Sequence, residues 1–347
     1  MTEQLNQFGM GARFIPENQL GTVDLGPLRQ LVGQWESVIL PPSSGTGTGP
    51  TPSGWNVMSV PAEKGFLFEV IPYKENLKFS AVAVEAGNSG PVINGKPFNQ
   101  EITGLFYEQQ IISVCDNELC NSRGFGNGKV IHAETGLFLY ITNYSSGLNI
   151  ARLGTVPHGN ALLAMGSSDE TNDPEIPFIL PVSALAHNLD GSAPGGLGYN
   201  ENIILDPQFK DFDQVNPNSF LESTLQQIVG SGSITQITTI PMSTRNPDAT
   251  GGILNIPFIQ TNVTATSMDA VFWIEQISGG TETELLQYSQ TVNLVFPIGG
   301  DVTPIVWPHI SVSTMKRMQQ PVQQENSSKA FRSSPTPSGH TPGVPQL

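Results

Sequence analysis

The segment ELLQYSQTVNLVFP, residues 284–297, sets the terms for the whole chain. Successive strand side chains point to opposite sides, so Leu286, Tyr288, Gln290, Val292, Leu294 and Phe296 share one face. Similar strands flank it in ITQITTIPM (234–242), TATSMDAVFWIEQIS (264–278) and PIVWPHISVSTMKRM (304–318), and QISGGTETE supplies a hairpin connection with two glycines. Consecutive strands joined by hairpins leave unpaired edges unless the sheet closes. The pattern predicts an all-β chain: a closed antiparallel up-and-down β-barrel of about 8–10 strands. An open β-sandwich is the competing arrangement.

The first half follows the same logic. GFLFEVIPY (65–73) and ENLKFSAVAVEA (75–86) read as an antiparallel pair. EITGLFYEQQIISV (101–114), VIHAETGLFLYITN (130–143), NIARLGTV and NALLAMGS continue a meander. In the 130–143 strand, either Ile131, Ala133 and Thr135 or Val130, His132 and Glu134 face inward. A short N-terminal helical turn, with Leu25, Leu28, Leu31 and Val32, runs into a strand near Trp35. Residues 41–54, PPSSGTGTGPTPSG, have nothing to bury and read as a solvated loop.

The reading gives an N-terminal arm over 1–19, one barrel domain over 20–318 and a disordered Pro/Ser-rich tail over 319–347. Within the barrel, 167–233 reads as an insertion or lid. It carries one helix, NSFLESTLQQIVG, with a capping box of Ser219 and Glu222 after Pro217.

Charge narrows the partners. The formal net charge is −15, which disfavours nucleic acid and anionic lipid surfaces. No apolar run approaches the ~18 residues of a membrane span. The N-terminus lacks a secretory signal pattern, so a cytoplasmic location is expected. Cys115 and Cys120 bracket a turn where a disulfide is geometrically conceivable, though a reducing compartment favours two thiols. No nucleophile elbow, phosphate loop or Cys-x-x-Cys pair is present.

The five histidines carry most of the remaining information. On the last strand, Trp307, His309, Ser311 and Ser313 point one way, while Val306, Pro308, Ile310 and Val312 point the other. Taken alone, His309 reads as a surface or hydrogen-bonded structural histidine. His132 has Glu134 as a ready hydrogen-bond partner. His158, in VPHGNA, falls on a turn and is expected to face solvent. His187 lies in the insertion and His340 in the tail.

Resemblance sharpens these choices. LVGQW resembles the Gly-X-Trp start of lipocalin and fatty-acid-binding barrels, where the Trp packs across the barrel floor. YKENLKFSAV, GKPFNQEITGLFYEQQ, HAETGLFLYI and the closing HISVSTMKR are similar, in order and spacing, to the nitrobindin family of heme-binding β-barrels. The likeness spans residues 28–165 and 264–318. It implies heme b held by His309 as the proximal iron ligand, with His132 near the heme pocket. Trp307 beside His309, and Met165 and Phe138 together with Phe106 and Tyr107, would suit the cavity; ordinary core packing explains the last four equally well. The family further implies binding of nitric oxide, isomerisation of peroxynitrite or another small-oxidant heme activity. The chain is about twice the size of a single-domain nitrobindin, through 41–54 and 167–263. Two alternatives stand beside heme: a heme-free lipocalin-like carrier of a small hydrophobic ligand, and a scaffold with no enclosed cavity.

Overall fold

The computed structural model describes residues 14–40, 51–62, 65–141, 147–172, 179–194, 203–230, 232–278, 283–296 and 304–318. The start of the arm, most of the 41–54 loop and the tail expected beyond 318 lie outside the described residues.

Among the described residues the main sheet has fifteen strands, twelve of which frame the barrel and its site: β1 (Gly33–Ser37), β2 (Gly54–Ala62), β3 (Gly65–Asn88), β4 (Gln100–Ser113), β5 (Val130–Ile141), β6 (Ile150–Val156), β7 (Asn160–Gly166), β8 (Ser233–Ser243), β9 (Gly252–Asn255), β10 (Thr264–Ser278), β11 (Thr283–Val295) and β12 (Ile305–Arg317). Antiparallel neighbours run β8–β10–β11–β12, then β3–β4–β5–β6–β7. Both β1 and β2 lie between β12 and β3, at successive heights. The circle closes where β7 meets β8 at Met165–Ser243 and Gly166–Met242. The result is a closed antiparallel barrel of ten strand positions, which agrees with the sequence pattern and excludes the open sandwich.

Two expectations need correction. The segments 65–73 and 75–86 are one continuous strand, β3, rather than a hairpin. Its first part pairs with β2 and its remainder with β4. PYKEN resembles a turn because it is polar. Glu75 instead points into the barrel, where Gln109 and Tyr288 hydrogen-bond its carboxylate. The capping box also does not form. Helix α2 (Asn218–Val229; α1 is Glu118–Ser122) begins two residues early, with Pro217 as its N-cap, and the Ser219 hydroxyl donates back to the Asn216 carbonyl at 2.8 Å.

Two cores hold the barrel. The inner core fills its floor with Phe79, Tyr107, Phe138, Phe272 and Met315 around Trp35. The helical turn Gly26–Leu31 plugs that end, and the Trp35 indole donates to the Leu31 carbonyl at 2.8 Å. The Arg317 guanidinium lies 4.2 Å from the centre of the Trp35 ring and donates to the Gln30 and Val32 carbonyls. The Gly-X-Trp resemblance anticipated this arrangement of the floor.

The outer core lies on the other side of the wall. Leu221 and Leu225 of α2, with Ile179 and Ala184, cover Trp55, Val57, Val70, Trp273, Ile310 and Val312. The described part of the 167–233 segment is therefore mainly a jacket on the outer wall. At the rim, His187–Asn188 pairs with β12, and Ala186 packs with Phe66 and Trp307. No helix among the described residues is long and apolar enough to cross a membrane.

Candidate functional site

Above the inner core the barrel holds a cavity of about 270 Å³. This overturns the scaffold expectation of no enclosed space. Residues of ten strands, with Phe125 and His158 from connections, form its wall, and strand alternation fixes most of those that reach it. On β5, His132 and Glu134 face inward, which resolves the choice left open by the sequence. Ile131 also reaches the cavity, because the β4–β5 register shifts there. Apolar walls come from Met58, Ile71, Ile111, Leu162, Met268 and Val292.

His309 lies in this wall, opposite Val292 on β11 and Met58 on β2. It lines the cavity and is partly buried. Burial, reinforced by the nearby His132 and His158, pulls its pKa down to about 4, so the imidazole is neutral at pH 7. The ring is not free. Its Nε2 lies 2.5 Å from the Asn56 side-chain nitrogen, and the same nitrogen donates to the Ser311 hydroxyl at 2.9 Å. Strand β2 supplies Asn56, and no strand was expected there.

His132 and His158 stand together, ring centres 5.8 Å apart. His158 is exposed, as its turn position predicts, but it also lines the cavity. Burial and the neighbouring His132 lower its pKa. Gly159 follows it with φ +108°, and a Cβ there would lie 2.7 Å from Ile256. The tight turn therefore needs glycine.

Beneath them lies a buried ion pair. Glu134 is 1% exposed and Arg152 is 2% exposed. Arg152 Nη2 donates to Glu134 Oε1 at 2.9 Å, Nη1 to Gln290 at 2.7 Å and Nε to the Tyr107 hydroxyl at 3.2 Å. Its guanidinium also sits against the rings of Tyr107, Phe138 and Phe272. Burial alone would raise the Glu134 pKa. Arg152, with hydrogen bonds from His132 and Tyr107, reverses that and holds it at about 2. A Cβ on Gly154 would lie 2.4 Å from Glu134 Oε1, so the pair also dictates that glycine. Beside this pair, Tyr73 and Tyr288 join hydroxyls at 3.0 Å, and Tyr288 donates to Glu75 at 2.9 Å.

The other residues singled out from the sequence fall elsewhere. Phe138 faces inward but belongs to the floor, stacked beneath Arg152 rather than on the cavity. Met165 has the outward phase and packs with Leu148 and Ala151 outside the barrel. Trp307 packs at the rim, 5.0 Å from the Phe66 ring, and does not line the cavity. Cys115 and Cys120 form a disulfide, where free thiols were the favoured expectation. Both are buried beside Ile71, Phe125 and Ile131, so the bridge backs one wall of the cavity.

Sequence reasoning missed Asn56, Glu75, Gln109 and Arg152. Tyr288 and Gln290 were grouped on one shared strand face but not assigned to a site. The available signal was polarity in the inward phase of a strand, since such residues must find partners inside the barrel. Among the described residues, no group of three or more His, Cys, Asp or Glu is placed to hold a metal ion.

Fold and site together define a closed β-barrel with a small internal cavity and a polar cluster. No protein-family model matches the chain, and no curated protein matches it. Among solved structures, the chain is similar to that in "Crystal Structure of Rv2717c from M. tuberculosis". That likeness covers 85% of this chain and 100% of the other, at 17% identity and a TM-score of 0.37.

Proposed function

We propose that the protein binds a compact, largely apolar small molecule inside its barrel, in the manner of a lipocalin-like carrier. One observation carries this reading: a cavity of about 270 Å³ with apolar walls and a few convergent polar groups, the usual composition of a small-molecule site. Pockets for drug-sized ligands run from about 300 to 1,000 Å³, so this cavity suits a ligand at the small end.

Heme b is the second reading, favoured by a neutral His309 on the cavity wall. A neutral imidazole is the form that binds iron. The residues as they stand nonetheless fit a tetrapyrrole poorly. Asn56 occupies the His309 Nε2, the space is small, and no lysine or arginine is among the described lining residues to meet the propionates. No step through iron is derived, and nitric oxide or peroxynitrite chemistry would follow only with heme.

The Cys115–Cys120 bridge favours an oxidising compartment over the cytoplasmic location expected from the sequence.

Organic extraction of purified protein, together with hemin titration, tests the two readings. The carrier reading expects an extractable organic molecule without iron and no Soret band at stoichiometric hemin. A stoichiometric Soret band that His309→Ala abolishes would replace it with the heme reading.

A further inference from the structure

We infer that the cavity takes an uncharged apolar molecule bearing a hydroxyl, a compact alcohol or phenol, and turns carboxylates away. This rests on the carrier reading and names the chemistry of its ligand. Two independent features carry it.

The first is charge. A carboxylate entering an apolar barrel needs a cation, because an unpaired buried charge is costly. None of the described residues lining the cavity is Lys or Arg. Arg152 lies just behind the wall, but Glu134, Gln290 and Tyr107 already use its nitrogens, and three aromatic rings enclose it. Glu134 lines the cavity as an ionised carboxylate, so an incoming anion would meet like charge there. The −15 net charge works in the same direction at longer range.

The second is an excess of acceptors. Gln109 and Asn56 both line the cavity, 8% and 6% exposed. Each uses its amide nitrogen and leaves its oxygen without a partner. For Gln109 the orientation is set by Glu75, whose Oε1 accepts from the amide nitrogen at 2.6 Å. The oxygen is then the atom left over. A buried acceptor lacking a donor destabilises the empty site, and a ligand hydroxyl relieves it once the amide, whose oxygen is covered in the empty cavity, turns toward it. A carboxylate has no proton to offer, and a bare hydrocarbon has none either.

Three probes of one skeleton test this: naphthol, naphthalene and naphthoate, titrated by calorimetry into the full chain at neutral pH. Naphthol is expected to bind at least about tenfold tighter than naphthoate, and tighter than naphthalene. Gln109→Met should shrink the advantage of naphthol over naphthalene. Because that variant also strips a donor from Glu75, Asn56→Ala serves as an independent second reading of the same effect. Should either variant fail to fold, the three affinities of the unaltered protein decide. Naphthoate binding as well as naphthol, or naphthol no better than naphthalene, overturns this inference while leaving the carrier reading standing. Failure of all three probes to bind overturns both.

Discussion

Glu134 and Glu275 are buried alike, on opposite sides of one barrel wall. Glu134 points inward from β5 and has Arg152, Tyr107 and His132 around it. Glu275 points outward from β10 into the core beneath α2, and neither of its oxygens has a hydrogen-bond partner. The contrast separates what each face is for. The inner face has polar groups arranged around a space. On the outer face, positions that strand alternation would give to water have been covered by the 167–233 segment. Gln287 and Thr314 share that fate, although Gln287 still reaches the Leu221 carbonyl at 3.0 Å and the Thr314 hydroxyl at 2.7 Å.

The largest effect belongs to the inner pair. Arg152→Met leaves Glu134 buried without its arginine, with only Tyr107 and His132 beside it, and is expected to cost about 3–5 kcal/mol in urea denaturation. Adding Glu134→Gln should restore much of that loss. A single variant as stable as the parent would mean that the pair does not organise the inner wall. On the outer face, Leu225→Ala removes a fully buried side chain, with an expected loss of about 2–5 kcal/mol. Naphthol affinity should stay unchanged in this variant, since α2 does not line the cavity. A loss of both together would show that the two faces are coupled.

This comparison also marks how far the sequence could be read. The closed barrel, the Trp35 floor and the inward face of β11 were legible because they rest on alternation and on one short signature. His309 was placed on the cavity only through the resemblance carried by HISVSTMKR; alternation alone left it a surface or hydrogen-bonded histidine. Strand β2 was not legible: WNVMSVPA follows a Gly/Pro-rich loop, and nothing in it predicts that Asn56 meets His309. Arg152 was hidden because its partners lie on three other strands, and register across a barrel is set by the whole closure. Met165 failed through phase alone, one residue away from inward-facing Ala164.

The disulfide gives a smaller and more local test. Cys115 and Cys120 are five residues apart, so their bridge constrains only a short loop, worth about 2 kcal/mol in the chain-entropy view. Denatured, unreduced protein should show no free thiol. The Cys115→Ala, Cys120→Ala double variant should lose about that much stability and weaken naphthol binding, because Phe125 and Ile131 share both the bridge cluster and the cavity wall. Two titratable thiols in protein purified without reductant would remove the bridge from the account.

The two carboxylates themselves give the finest comparison, through pH. Glu134 has a pKa depressed to about 2, so its contribution is fully present above the unfolded value of 4.5 and is lost as pH falls toward 2. Glu275 has the opposite sign. Burial pushes its pKa well up, so above pH 4.5 the folded state keeps a proton that the unfolded chain releases. The unfolded chain then binds fewer protons, and stability falls as pH rises. Glu275→Leu removes that penalty along with two unpartnered oxygens, for a gain of about 1–2 kcal/mol at neutral pH. The gain should be smaller at pH 4, where the unfolded carboxyl is mostly protonated too. The other buried acids cancel, because parent and variant share them. Equal gains at pH 4 and pH 7.5 would show that Glu275 has the same pKa folded and unfolded, so that burial beneath the outer wall does not shift it.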